Sequence, residues 1–294
     1  MKDESSTSIS LERIGFAAQA VGLVLFAATD GNHGRAVAKM AGYLGIQARI
    51  YVPKMLDEEA KGKIQGEGAV VVVVEGSYDE AVLEVKKACW EYPNEKGLLI
   101  SDTSLVIGDE VPGWIVDGYQ TMFDEVEEQI TELTSGKEIT HVLTPVGVGS
   151  LTQAVVTHFS RTSRCEKAAI ITVEPEQAAC LKASLEAGEM VSVDTGHTIC
   201  TGMCCGTVSV DAWPVLRNGV TAATSVDDQI VEEAIKELQL QGIEAGPCGA
   251  ATLAGVRQLS RLGALDLGPE SVVLILCTEG PRGYSLEAQK SLDI

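Results

Sequence analysis

The sequence predicts an α/β fold built from two parallel sheets, with helices packed on both faces of each sheet. Short apolar and β-branched runs alternate with amphipathic helical patterns along most of the chain, and this alternation is typical of parallel strands joined by helical crossovers. The chain has 294 residues, of which 45% are hydrophobic, so it can bury either one large core or two smaller ones. In such a fold we expect ligands at the carboxyl ends of the strands.

The first part of the chain contains four predicted strands separated by helical patterns. The strands are expected at residues 22–28, 48–52, 69–74 and 98–101. Residues 69–74 are six consecutive apolar residues, which is typical of a strand buried on both faces. Helices are expected after the first glycine-containing turn, over residues 56–65, from Ser77, and as one long acidic helix over residues 112–133.

The second part repeats the pattern. Strands are expected at residues 139–146, 169–173 and 271–276, and helices from Leu151, around Cys180 and from residue 246. We predict a smaller domain over residues 25–123 and a larger domain made of residues 1–24 and 124–294.

The charge of the chain excludes several classes of partner. It has 22 Lys+Arg against 42 Asp+Glu, a net charge of −20, whereas nucleic acids and anionic membranes bind basic patches. No apolar run approaches the ~20 residues that span a bilayer, and the N-terminal MKDESSTS has no basic region ahead of a hydrophobic one. Eight cysteines without disulfide-scaffold spacing indicate reduced thiols. We therefore expect a cytoplasmic protein that binds neither nucleic acid nor membrane.

Four potential metal ligands lie close together in the sequence. His197, Cys200, Cys204 and Cys205 form the pattern H-x₂-C-x₃-C-C. Structural metal sites usually combine separate ligand pairs, and adjacent cysteines rarely bind one ion. The pattern therefore favours buried apolar cysteines, and we predict no metal site.

The heptad TDGNHGR, residues 29–35, is the most informative motif and lies between a predicted strand and a predicted helix. Its two glycines let a ligand approach the backbone, and the N–H groups at a helix N-terminus favour an anion. Asp30 is poorly suited to contact a phosphate, so we expect it to face another part of a ligand. A plain turn capped by Asp30 or Asn32 would give the same pattern.

A second glycine turn follows the strand predicted at residues 139–146. It consists of Gly147, Val148, Gly149 and Ser150, with the next helix starting at Leu151. Successive backbone N–H groups and the Ser150 hydroxyl can surround a phosphate there. Many tight turns between a strand and a helix have the same spacing, so an ordinary turn is the alternative.

These motifs resemble those of fold-type II pyridoxal-phosphate (PLP) enzymes, the tryptophan synthase β-like group. TDGNHGRAVA is similar to the asparagine loop of the diaminopropionate ammonia-lyase family. The resemblance implies the fold-type II architecture and PLP as cofactor. It implies that Asn32 contacts the 3-oxygen of PLP, that Asp30 is a proton-abstracting base, and that Gly147 to Leu151 hold the 5′-phosphate.

Three further segments carry the resemblance. Asp102, with VPGW following at residues 111–114, matches a second acidic residue proposed as the base for the opposite substrate enantiomer; an aspartate that only caps the next turn is the alternative. TGMCCG at residues 201–206 also matches. At CTEG, the resemblance implies that Cys277, or as second choice Thr278, faces the pyridine nitrogen and leaves it unprotonated, and an ordinary turn is again the alternative.

One part of the family pattern differs in this sequence. KDES at residues 2–5 resembles the segment that precedes the PLP-binding lysine in the family, but no lysine follows it before Lys39. Lys2 lies at the start of KDES, and Lys39 is expected to point away from the ring. We therefore expect the chain as written to bind PLP weakly and reversibly, without releasing pyruvate.

The resemblance implies α,β-elimination of 2,3-diaminopropionate, or a similar amino acid, to pyruvate and ammonia in a homodimer. Asp30 or Asp102 removes the α-proton while the cofactor ring stores the charge. A serine/threonine dehydratase-like lyase is one alternative, although those enzymes usually carry serine in place of Thr29-Asp30. A catalytically inactive protein of the same fold, or a truncated gene model, is the other.

Overall fold

The expected alternation of strands and helices is present. In this computed structural model, which describes residues 10–104, 106–161 and 168–283, eight β-strands and eleven α-helices follow one another. All strand pairs are parallel. The predicted α/β class with two parallel sheets is therefore confirmed. The KDES segment with Lys2 lies outside the described residues.

The elements have the following bounds. The strands are β1 (Val24–Ala28), β2 (Gln47–Pro53), β3 (Val70–Val74), β4 (Gly97–Leu99), β5 (His141–Pro145), β6 (Ala169–Pro175), β7 (Ala222–Val226) and β8 (Val273–Ile275). The helices are α1 (Leu11–Val21), α2 (Asn32–Leu44), α3 (Glu58–Gly66), α4 (Tyr78–Trp90), α5 (Glu110–Gly118), α6 (Gln120–Leu133), α7 (Ser150–Arg161), α8 (Cys180–Ala187), α9 (Trp213–Gly219), α10 (Asp228–Leu240) and α11 (Pro247–Arg261).

The described residues up to Ile100 form one compact unit. Its sheet has the strand order β3-β2-β1-β4, so β1 lies inside the sheet and all five of its residues are buried. Helix α4 begins with a capping box in which the Ser77 and Glu80 side chains each accept from the other's backbone N–H. The sheet therefore places the turn after β1 at its carboxyl edge.

The expectation that residues 69–74 are buried on both faces is wrong. Strand β3 lies at the edge of the sheet, and Val70 and Val73 are 54% and 46% exposed. An edge strand has a neighbour on one side only, so an apolar run does not by itself indicate burial on both faces.

The described residues from Ser101 onward form the second unit, with the strand order β7-β6-β5-β8. Strand β7 was not predicted. The helix expected over residues 112–133 is instead two helices, α5 and α6, which meet at Tyr119. Tyr119 keeps helical torsion angles, but its N–H donates to Val116 three residues back rather than four, which tightens the chain at this point.

The limits of the two units differ from those of the predicted domains. Helix α1 belongs to the first unit and contacts α2, whereas α5 belongs to the second and contacts α7. The smaller domain over residues 25–123 stays a prediction. Among the described residues, no helix is both long and apolar enough to cross a membrane.

Candidate functional site

Thr29 organises the turn that follows β1. Its side-chain hydroxyl accepts hydrogen bonds from the N–H groups of Gly31 and Gly34, both at 2.9 Å, and its own N–H donates to the Tyr51 carbonyl at 3.0 Å. Thr29 is 1% exposed. A buried hydroxyl with two backbone donors fixes the turn in one conformation.

The candidate residues of this turn lie where a ligand can reach them. Asp30 is half-buried, and Asn32, the first residue of α2, is exposed. The ring of His33 is held by a 2.9 Å contact between its Nε2 and the Ile100 carbonyl just beyond β4. The turn thus presents a carboxylate and an amide at the carboxyl edge of the first sheet.

Gly34 explains why the second glycine of the heptad is needed. A Cβ added at Gly34 would lie 2.3 Å from Thr29 Cγ2 and 2.7 Å from Ile50 Cγ2. Both contacts are far shorter than van der Waals distance, so only glycine fits between the turn and β2.

Lys39 is the first lysine among the described residues, and its ammonium is already engaged. It forms an ion pair with Glu67 at 2.9 Å and lies 5.5 Å from the centre of the Tyr43 ring. The hydrogen bond from Glu67, followed by its charge, raises the pKa of Lys39. Arg35 also pairs with Glu67, at 3.1 Å. The sequence expectation that Lys39 points away from the asparagine loop agrees with these contacts.

The second glycine turn joins β5 to α7 at the carboxyl edge of the second sheet. Val148, Gly149 and Ser150 are buried, and the Val148 carbonyl accepts from the Ser209 N–H at 2.9 Å. Gly149 has φ +99°, and a Cβ there would lie 2.9 Å from Leu216 Cδ1. The conformation and the packing of this turn therefore both require glycine.

Ser150 and Asp102 are directly joined. The Ser150 hydroxyl donates its proton to the Asp102 backbone carbonyl. Asp102 is half-buried, and its carboxylate, after burial, contributes to raising the pKa of Tyr119. The structure thus brings together Asp102 and the glycine turn, two sites that lie 48 residues apart in sequence.

The segment after β8 contributes Cys277 and Thr278, which are both exposed at the carboxyl edge of the second sheet. Burial raises the pKa of the Cys277 thiol, and the Glu279 carboxylate also raises it. Glu279 is fixed, because Oε2 accepts from the Cys248 N–H at 2.7 Å and Oε1 pairs with Arg282 at 2.8 Å. Its carboxylate thereby caps the first turn of α11.

Glu174, which sequence reasoning did not assign to the site, lies at the same edge. It is 0% exposed, near the end of β6, and its carboxylate accepts from the N–H groups of Leu181 and Lys182, both at 2.8 Å. Burial raises its pKa to about 7. The signal in the sequence was an acidic residue at the carboxyl end of an apolar strand.

The cysteines proposed as buried rather than metal-binding behave as follows. Cys200 and Cys205 are buried, and the Cys204 thiol donates to the Gly196 carbonyl at 3.4 Å. Within the described parts of the chain, no three His, Cys, Asp or Glu side chains are arranged to hold a metal ion.

Comparison with known proteins places this geometry in context. The sequence profile of the family described as "Pyridoxal-phosphate dependent enzyme" matches residues 4–278. The diaminopropionate ammonia-lyase of Escherichia coli (strain K12) is 32% identical over 265 residues, which are 86% of this chain and 65% of the relative. The chain thus spans less than two thirds of the length of that relative.

Solved structures give the same result. A structure of the Escherichia coli diaminopropionate ammonia-lyase in complex with D-serine superposes with a TM-score of 0.82 at 30% identity, covering 93% of this chain and 70% of that one. A threonine deaminase from the bacterium abbreviated T.th. superposes with a TM-score of 0.74 at 26% identity, covering 94% of this chain and 84% of that one.

Proposed function

The chain belongs to the family of pyridoxal-phosphate dependent enzymes, and from this premise we propose that it eliminates ammonia from 2,3-diaminopropionate or a similar amino acid. The products are pyruvate and ammonia. The observation that carries the proposal is the glycine turn at residues 147–149, which leads from β5 directly into the first turn of α7. An anion is favoured at such a helix N-terminus.

The residues of the second unit fit the phosphate and ring of PLP. Gly147, Val148, Gly149, Ser150 and Leu151 provide backbone N–H groups for the phosphate in a chain whose net charge is −20. The Ser150 proton is directed to Asp102, so the donors for the phosphate are N–H groups rather than this hydroxyl.

The ring end of the cofactor is assigned to two side chains after β8. The Cys277 thiol, whose pKa is raised, stays protonated at neutral pH and can donate a hydrogen bond to an unprotonated ring nitrogen. Thr278 is the second choice. In the first unit, Asn32 is the proposed contact of the 3-oxygen.

Asp30 and Asp102 are the proposed bases. Bound PLP supplies the electron sink that stores the charge left when the α-proton is removed. Each aspartate closely follows the carboxyl end of a strand, where a carboxylate can accept that proton from substrate. We assign one aspartate to each substrate enantiomer.

The test uses the purified chain with added PLP. Pyruvate and ammonia are measured with L- and D-2,3-diaminopropionate, and PLP retention is measured by equilibrium dialysis. Gly149→Asp places a carboxylate against the phosphate and should release PLP, whereas Gly188→Asp, at an open position with φ +75°, should retain it. Equal retention by both variants would show that the glycine turn does not hold the phosphate.

The two-base assignment has its own readout. Asp30→Asn and Asp102→Asn should each lose pyruvate formation preferentially from one enantiomer. Equal losses on both enantiomers would contradict the assignment.

A second candidate is a protein of the same fold that holds PLP without elimination activity. The observation that favours it is the Lys39–Glu67 ion pair, which keeps this lysine from the asparagine loop. PLP retention without pyruvate from either enantiomer would support this candidate. A dehydratase would instead release 2-oxo acids from serine or threonine.

The setting of the protein is also part of the proposal. We infer a homodimer in the cytoplasm, where free thiols persist; the seven cysteines of the described residues are all free. Size-exclusion chromatography with light scattering tests the dimer.

A further inference from the structure

Glu174 is a fully buried carboxylate that the proposed reaction does not use. It lies beside Ser225 of β7 in the sheet register, and its two carboxylate oxygens accept from Leu181 and Lys182 in the first turn of α8. Burying an ionisable group costs free energy unless hydrogen bonds compensate it. Glu174 therefore holds the start of α8 against the carboxyl edge of the second sheet.

Cys180 connects this carboxylate to the glycine turn. It is 0% exposed and begins α8. Its thiol forms a hydrogen bond with the Glu174 carboxylate, and its Sγ also lies 3.9 Å from the Gly147 carbonyl oxygen, within hydrogen-bond range for sulfur. A thiol has one proton, so it cannot fully serve both acceptors at once.

The protonation of Glu174 decides which acceptor the thiol serves. An ionised carboxylate is the stronger acceptor and draws the thiol proton away from Gly147. A neutral carboxyl leaves that proton to the Gly147 carbonyl, which then fixes the start of the glycine turn. The negative charge of ionised Glu174 also acts unfavourably on an anion in the turn.

Few other charges act on this group. The titratable or charged side chains that influence Glu174 are Cys180 and Lys182, both on α8. Lys182 pairs with Glu186 at 2.6 Å, and the neighbouring residue on β7 is Ser225. Because burial is the largest influence and raises the pKa to about 7, the carboxyl changes its charge near neutral pH.

We propose that Glu174 is a positioning residue that acts through the Cys180 thiol on Gly147 and makes the anion affinity of the glycine turn depend on pH. This proposal rests on the proposed role of residues 147–151 as the phosphate site. It assigns a regulatory function to a carboxylate that does not itself touch the anion.

The first experiment measures sulfate binding by calorimetry between about pH 5.5 and about pH 8.5. Sulfate is the probe because it keeps its charge of −2 over this range, whereas phosphate titrates near neutral pH. In the parent chain the dissociation constant should rise about tenfold as Glu174 ionises. In Glu174→Gln it should stay close to the low-pH value. Glu186→Gln, an exposed glutamate on the same helix, is the matched control and should keep the parent profile.

The thiol is tested separately, which also covers the case in which Glu174→Gln does not fold. Cys180→Ala should weaken sulfate binding at low pH and flatten the profile, while Cys180→Ser, which retains a donor, should restore the pH dependence. A Cys180→Ala profile identical to that of the parent would overturn the proposal.

An infrared measurement provides a readout without any ligand. The S–H stretching band of Cys180, obtained as the difference between the parent and Cys180→Ala, should move to lower frequency as the pH rises through the titration of Glu174, and should not move in Glu174→Gln. Sulfate binding with the same pH profile in the parent and in Glu174→Gln overturns this proposal alone. Absence of both sulfate and PLP binding at every pH overturns the phosphate site as well.

Discussion

The Ser150 hydroxyl donates a hydrogen bond to the backbone carbonyl of Asp102. Ser150 is the first residue of α7 and is 6% exposed. The bond is inaccessible to bulk water, so the carbonyl of Asp102 would lose its partner if the hydroxyl were removed. The position of one proposed base thus depends on the turn that is proposed to hold the phosphate.

Ser150→Ala should therefore destabilise the fold by about 1–3 kcal/mol, the cost of leaving a buried acceptor without a donor. Urea unfolding measures the change. Ser260→Ala, at an exposed position of α11, is the control and should change the free energy of unfolding by less than about 0.5 kcal/mol. A Ser150→Ala variant as stable as this control would show that the bond contributes little.

Gly149→Ala should cost more than its backbone conformation alone requires. The residue has φ +99°, and the new Cβ would lie 2.9 Å from Leu216 Cδ1. Gly188→Ala is the matched control, because it has φ +75° and open space around it. We expect about 1 kcal/mol for the control and about 2–4 kcal/mol for Gly149→Ala. Equal losses would indicate that Leu216 moves aside without cost.

Glu174 should lower the free energy of unfolding as the pH rises from about 4.5 to about 7. Its pKa is raised from 4.5 to about 7 in the folded chain, so the folded state binds the proton more tightly than the unfolded state does. Its contribution is complete below about pH 4.5 and is lost as the carboxyl ionises in the folded state, by up to about 3 kcal/mol. Urea unfolding at several pH values checks this.

The comparison for this pH effect is Glu174→Gln. The difference in unfolding free energy between the parent and this variant should change across that pH interval, whereas the difference between the parent and Glu186→Gln should not. A constant difference for Glu174→Gln would mean that its pKa is the same in the folded and unfolded states.

Sequence patterns predicted those parts of the fold in which local and tertiary preferences agree. The strand, turn and helix around residues 24–44 follow from an apolar run, two glycines and a helical period, and the first glycine turn lies where it was expected. Burial of β3 was not predictable, because its position at the sheet edge depends on pairing between distant segments. Strand β7, with the sequence Ala-Ala-Thr-Ser-Val, has too little apolar periodicity to be recognised locally.

The candidate site shows the same limit. The glycine motifs and the aspartates at strand ends were visible in the sequence, because each depends on neighbouring residues. The contacts that connect them were not. The bond from Ser150 to Asp102 and the contacts of Cys180 with Glu174 and Gly147 join separate elements, and no local pattern encodes such contacts.

The last prediction concerns Lys39, which should not become attached to PLP. A lysine attacks a carbonyl carbon only as the neutral amine, and Glu67 raises the pKa of Lys39 through a 2.9 Å hydrogen bond, which keeps it protonated. Borohydride reduction of the PLP-loaded chain, followed by peptide mapping, identifies any lysine that holds the cofactor. We expect no label on Lys39, and equal PLP retention by Lys39→Ala and by Lys63→Ala, a control whose lysine pairs with Glu59 on the exposed side of α3. A label on Lys39 would mean that its ion pair with Glu67 opens when the cofactor binds and that this helix supplies the lysine of the site.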